Sequence, residues 1–169
     1  MWYQRATPPQ PYISTKRWLK KINMQLNWTL KKFDELTPVE LYRIMQLRNE
    51  VFVVEQNCVY QDADNKDVKS WHFMGWDGET LVAYTRLLPQ GVSYADASIG
   101  RVVSSPKYRG IGAGRELMER SIDTTIKLFN CSTIKIGAQL YLKKFYESLG
   151  FVQSGPEYLE DNIPHIEML

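Results

Sequence analysis

The sequence predicts a mixed α/β domain in which a central, largely antiparallel sheet carries helices on both faces. Three observations predict it. Short runs of alternating or β-branched residues recur along the chain, and two of them are joined by the two-residue turn Asp77-Gly78. Two segments, 37–54 and 111–129, space their apolar residues at the helical rather than the strand period. Between a strand and the second helix stands a glycine-rich joint, Arg109-Gly110-Ile111-Gly112-Ala113-Gly114.

At 169 residues, 44% hydrophobic and 24% charged, the chain has the size of one domain burying roughly two-thirds of its unfolded surface. A net charge of +2 argues against a dedicated nucleic-acid surface. No apolar run approaches the roughly 18 residues a membrane span needs. Cys58, Cys131, His72 and His165 form neither CxxC nor HExxH spacing, so no zinc site, other metal centre or disulfide framework is signalled. A reducing, cytoplasmic compartment is expected. Residues 1–23 carry Arg5, Lys16, Arg17, Lys20 and Lys21 without one acidic residue, and read as a dispensable basic extension or a basic targeting arm. The domain proper is expected over 24–169.

Taken in order, Leu26, Trp28 and Leu30 alternate with polar residues and suit a half-buried first strand over 25–33. Thr37-Pro38-Val39-Glu40 starts a helix: Thr37 can cap, Pro38 fits the first position and Glu40 completes a capping box. Leu41, Ile44, Met45, Leu47, Val51 and Phe52 should face the core, with Arg43, Arg48 and Glu50 toward water, and the helix should end near 54–56. A polar loop follows, with Asp62, Asp64 and Asp67 but without the glycine and terminal glutamate of a calcium loop. It reads as a solvated acidic loop or as an acidic rim that attracts a cationic amine.

Segments 71–76, 80–88 and 99–103 supply strands two to four. Leu117, Met118, Ile122, Ile126 and Phe129 then form one face of the second long helix. Residues 132–137 give a fifth strand, and 141–149 a short helix with Leu142, Phe145 and Leu149 inward and Gly150 as its cap.

The joint at 109–114 carries the chemistry. Three glycines remove Cβ atoms where a helix begins, so a bulky anion can reach free N–H groups and the positive end of the helix dipole. The spacing is not GxxxxGK[ST], nor is it GxGxxG within repeated βαβ units. It resembles the acetyl-CoA signature of the GCN5-related N-acetyltransferases, matched by Arg109, Gly112 and Gly114. Residues 47–64 (LRNEVFVVEQNCVYQDAD), Gly137-Ala138-Gln139 and Ile163-Pro164-His165 resemble the ElaA-like branch of that family, and the resemblance spans about 26–169.

That resemblance implies an acyl-CoA N-acyltransferase fold whose fourth and fifth strands splay apart. It implies acetyl-CoA as co-substrate, with the pantetheine arm along Val102 and Val103. Arg109, Gly110, Ile111, Gly112, Ala113 and Gly114 would hold the pyrophosphate. It implies direct attack by a primary amine, small-molecule or peptide, with Tyr146 of FYESLGF as the acid that protonates the leaving thiolate. The base is open: residues 98–103 hold no glutamate, and Gln139 replaces a common asparagine. Glu55, His72 and His165 are its candidates, so the catalytic set is Tyr146, His165 and Glu55. The acceptor-binding set is Glu55, Asp62, Asp64 and His72. A fainter similarity of LRNEVFVVE to acyl-homoserine lactone synthases admits a longer acyl donor, and a non-catalytic acyl-CoA sensor is the rival outside enzymes. A homodimer is possible.

Overall fold

The computed structural model describes residues 25–169, and the basic extension expected over 1–23 lies outside the described residues. The strands are β1 (Asn27–Lys32), β2 (Trp71–Asp77), β3 (Thr80–Leu88), β4 (Ala97–Ser104), β5 (Ile134–Gln139), β6 (Gln153–Glu160) and β7 (Ile163–Met168). The helices are α1 (Pro38–Arg48), α2 (Ala113–Phe129) and the short α3 (Lys143–Glu147). All the strands join one sheet in the order β1-β2-β3-β4-β5-β7-β6.

β1 to β4 form an antiparallel meander, whereas β5 lies parallel to β4 because α2 carries the chain across between them. The β4–β5 contact is brief. Only Ala97 with Ile134 and Ser98 with Lys135 are in register, and beyond Ser98 the two strands part. The sheet continues through β7, antiparallel to both β5 and β6. Two apolar clusters cover its faces. One, with Phe73, Leu87, Ile99, Leu117 and Met118, lies under α2; the other, with Ile44, Leu47, Met74, Tyr84 and Val103, lies under α1.

The start of α1 follows the sequence closely: Glu40 N donates to Thr37 Oγ1 at 3.2 Å while Thr37 N donates back to Glu40 Oε2 at 2.8 Å. The helical path does reach Glu55, but over Asn49–Glu55 it widens into π-helical turns. Arg48, expected to face water, is instead completely buried. The polar loop folds back over it and supplies the carboxylates that make a buried guanidinium tolerable. In α2, Leu117 and Met118 are buried as expected, but Ile126 is 43% exposed. Ser121 and Thr125 take the inward positions, and the Ser121 and Thr85 hydroxyls pair at 2.8 Å across the α2–β3 interface. β6 was not signalled by the sequence. It is an edge strand with alternating exposed and half-buried polar residues, so it lacks the apolar period that marks a strand.

Candidate active site

The site is built where β4 leaves β5. Arg101, in the middle of β4, has φ +53°, a left-handed conformation that is unusual for an arginine within a strand. The β3–β4 register shifts between Tyr84 and Arg86, so β4 carries a bulge beside the point of divergence. Bulge and splay together open a cavity of about 520 Å³. Its walls include Val102, Val103 and Ser104 of β4, Arg109 and Gly114 of the joint, Gln139 of β5, and Tyr146 of α3.

At one end, Gly110 (φ +76°) and Gly112 (φ +91°) are both left-handed, and a Cβ built on either would meet nothing within 4 Å. The joint is therefore an open cradle that glycine both permits and leaves empty of side chains. Ile111 packs against the core, and Ala113 and Gly114 begin α2; the N–H groups of Arg115 and Glu116 already donate to the Gly112 carbonyl at 3.0 and 3.1 Å, which leaves those of Ala113 and Gly114 as the ones without a helical partner. Arg109 does not point away from the cavity unattended: its guanidinium donates to both carboxylate oxygens of Glu55, at 2.6 and 2.8 Å. Glu55, the last residue of the π-helical turns, lines the same cavity. These residues fit an anionic phosphate ligand.

At the other end, Tyr146 is 5% exposed, its ring wedged edge-on against Phe145 and Phe151 at 5.1 and 6.0 Å. Its hydroxyl has no hydrogen-bond partner among the described residues, yet it is not among the buried unpaired atoms. It opens into the cavity. Burial, with the neighbouring Tyr141 hydroxyl adding to it, pushes the Tyr146 phenol well above its ordinary value.

The three aspartates of the acidic loop are turned onto guanidiniums. Asp62 accepts from Arg48 Nε at 2.8 Å and from Arg101 Nε at 2.8 Å; Asp64 accepts from Arg86 at 2.6 and 2.8 Å; Asp67 accepts from Arg48 at 2.8 Å and Arg86 at 3.1 Å. Three carboxylates are thus consumed by three guanidiniums, and Tyr60 adds a hydrogen bond to Asp62 at 2.8 Å. Burial alone would raise the Asp64 and Asp67 carboxyls. The hydrogen bonds and charges of Arg86 and Arg48 outweigh it and hold both below the usual carboxylate range.

Asp62, expected to bind the acceptor, is 5% exposed and lines neither this cavity nor its neighbour across the β4–β5 gap. Asp64 is half-buried, and both of its carboxylate oxygens are taken by Arg86. His72, likewise expected at the acceptor, lies in the core. It is fully buried, with Nε2 donating to the Asp67 carbonyl at 3.1 Å and Nδ1 accepting from Tyr84 Oη at 2.8 Å. Burial pushes its imidazole below the ordinary value. His165 donates from Nδ1 to the Ile163 carbonyl at 2.8 Å, stacks on Tyr158 at 5.8 Å and lines neither cavity wall. Of the expected catalytic set, the fold brings Tyr146 and Glu55 into one cavity and leaves His165 outside it.

Arg48, Arg86 and Arg101 escaped the sequence reading. A signal existed: Arg86 interrupts LVAYTRLL and Arg101 interrupts SIGRVV, and a charge inside an apolar strand calls for a buried partner. Among the described residues no group of three or more His, Cys, Asp or Glu is placed to hold a metal ion, and no helix is long and apolar enough to cross a membrane.

A splayed mixed sheet with an open anion cradle at one end of the gap and a tyrosine helix at the other defines the class of acyl-CoA-dependent acyltransferases. The chain belongs to the GNAT acetyltransferase family, whose domain model matches residues 34–169. It is 40% identical to Escherichia coli ElaA over 145 residues, 85% of this chain and 95% of the relative. The crystal structure of that ElaA superposes with a TM-score of 0.78, covering 84% of this chain and 97% of the other. An acyl-CoA N-acyltransferase from Pseudomonas aeruginosa is 44% identical, with a TM-score of 0.81 over 85% of this chain and 98% of its own. A CoA-dependent acyl-homoserine lactone synthase shares the fold at 15% identity, with a TM-score of 0.69 over 85% of this chain and 82% of that one.

Proposed function

We propose that the chain is an acetyl-CoA-dependent N-acetyltransferase of the cytoplasm that acylates a primary amine by direct attack. One observation carries the reading: a single cavity holds Arg109 and Gly114 at one end and the unpaired hydroxyl of Tyr146 at the other. In this reading Gly110, Ile111 and Gly112 of the joint and Ala113 of the first turn present their N–H groups to the pyrophosphate, and Arg109 turns from Glu55 to the same phosphates. Val102 and Val103, on the β4 edge that β5 has left, pair with the amides of the pantetheine arm as a further strand would.

The chemistry asks little of the protein beyond placement. The amine nitrogen forms a bond to the acyl carbon, the C–S bond breaks, and the thiolate takes a proton from Tyr146. The proton lost by the amine passes through water or the Glu55 carboxylate freed from Arg109. Backbone N–H near Val103 faces the developing oxyanion. Because burial keeps Tyr146 protonated through the neutral range, the donor form of the acid is always present.

Calorimetric titration of acetyl-CoA into the wild type and into Gly112→Glu tests this. The wild type is expected to bind and the variant not to, since a carboxylate side chain would fill and repel the cradle. Absence of binding to the wild type overturns the proposal. Comparing acetyl-, butyryl- and octanoyl-CoA turnover then fixes the acyl chain.

A further inference from the structure

A second cavity, of about 640 Å³, meets the first at the β4–β5 gap. The two share five residues, Tyr60, Ile99, Gly100, Arg101 and Gly137, but the second includes nothing from the glycine joint or α3. If the donor fills the first cavity, its thioester lies where the two meet. The nucleophile must then come from the second.

The charges around that second cavity are unevenly satisfied. Asp64, Arg86 and Arg101 belong to the internal ion network, and Glu167 pairs with Lys135 at 2.8 Å. Lys66 also lines the cavity, as do the exposed Glu160 and Asp161, which form no ion pair among the described residues. Tyr158 and Tyr94 share the cavity wall with Glu160 and Glu167. Burial raises the Tyr158 hydroxyl to about 12, with Tyr94, Glu160 and Glu167 adding to the shift. Both hydroxyls crowd Gly137, where an added Cβ would lie 2.9 Å from Tyr158 Oη and 3.1 Å from Tyr94 Oη.

An independent feature lies at the gap itself. Ser98 is 1% exposed, is the last β4 residue in register with β5, and lines this cavity. Its hydroxyl has no hydrogen-bond partner, and neither has the Nε of Arg86 beside the same cavity. Buried polar groups are ordinarily paired, so two orphans at one wall mark a place completed by a ligand.

We propose that the second cavity receives the acceptor and that this acceptor is a diamine. One amine, uncharged, reaches the gap beside Ser98 and Gly100. The other, as an ammonium, is held between Glu160 and Asp161. The assignment rests on the transferase reading given above, and the same bonds form and break.

Matched probes test it on the full chain: 1,4-diaminobutane and n-butylamine, which differ in the second charge. With acetyl-CoA, the diamine is expected to show a KM roughly tenfold lower, as two rim carboxylates would give. In the Glu160→Gln/Asp161→Asn double variant that preference should vanish, while the n-butylamine KM and acetyl-CoA affinity stay put. A retained preference overturns the assignment. Direct titration with 1,4-diaminobutane separates the two readings. Diamine binding that the double variant loses supports the cavity even where no acetyl is transferred, an outcome that sinks only the transferase. A wild type that binds acetyl-CoA but not the diamine sinks only the cavity.

Discussion

Glu55→Gln should tighten the binding of CoA, because Glu55 competes with the phosphates for Arg109. The guanidinium makes two short hydrogen bonds to this one carboxylate, at 2.6 and 2.8 Å, and it cannot present the same fork to a pyrophosphate at the same time. The side chains are 46% and 40% exposed, so the pair is weak: an exposed ion pair is worth roughly 0.2–1 kcal/mol. Removing the competitor should therefore lower the Kd of CoA by about 1.4- to 5-fold. The amide still accepts one hydrogen bond, which places the expected gain inside that range. Titration calorimetry at low salt reads it directly, and added salt should shrink the difference. Arg109→Ala supplies the control. Losing a charge-assisted contact worth about 1.5–3 kcal/mol should weaken CoA by roughly 10- to 150-fold, and in that background Glu55→Gln should change nothing. Equal gains with and without Arg109 would show general charge removal rather than competition, and a weaker Kd in Glu55→Gln would refute the argument outright.

Tyr146→Phe should keep CoA affinity and lower turnover by about 10²- to 10⁴-fold, the usual worth of a positioned acid; unchanged turnover removes Tyr146 from the chemistry and favours a sensor. With the phenol pushed above its ordinary value, the pH–rate profile should show no alkaline loss from Tyr146 below about pH 10. Arg48→Met leaves Asp62 with Arg101 alone and Asp67 with Arg86 alone, each short of one buried partner, and should cost about 3–5 kcal/mol in urea unfolding; a loss under 1 kcal/mol would mean the network is dispensable. Asp64 and Asp67 are depressed in the folded state. Their contribution to stability should therefore be complete above the unfolded carboxyl value of about 4 and should fade as pH falls below it toward their folded values. Asp64→Asn should flatten that acid limb, and an unaltered limb in thermal scans would contradict the assignment.

What the sequence disclosed and what it hid divide along a physical line. Local signals were legible: the capping box at Thr37 and Glu40, the Asp77-Gly78 hairpin and the glycine joint each act within a few residues, and each stands where its chemistry requires. Features that need two distant segments were not. The three aspartates looked like a surface property because their partners lie in α1, β3 and β4, far away in the chain. β6 is an edge strand held by β7, and its own residues carry no strand period.

The bulge at Arg101 shows most plainly why the site could be only half seen. Nothing in SIGRVV announces a left-handed residue, and an arginine gains nothing locally from that conformation. The conformation is held from outside, by the Asp62 carboxylate at 2.8 Å and the Asp62 carbonyl at 3.2 Å, and Tyr60 lies under the same guanidinium at 5.7 Å. Asp62 is fixed in turn by Arg48. A chain of ion pairs thus runs from the end of α1 through the acidic loop into β4, and it ends beside the gap where the two cavities meet. The acidic loop works as a brace. It keeps β4 bent at the place where β5 leaves it, which is what opens the sheet to a ligand at all.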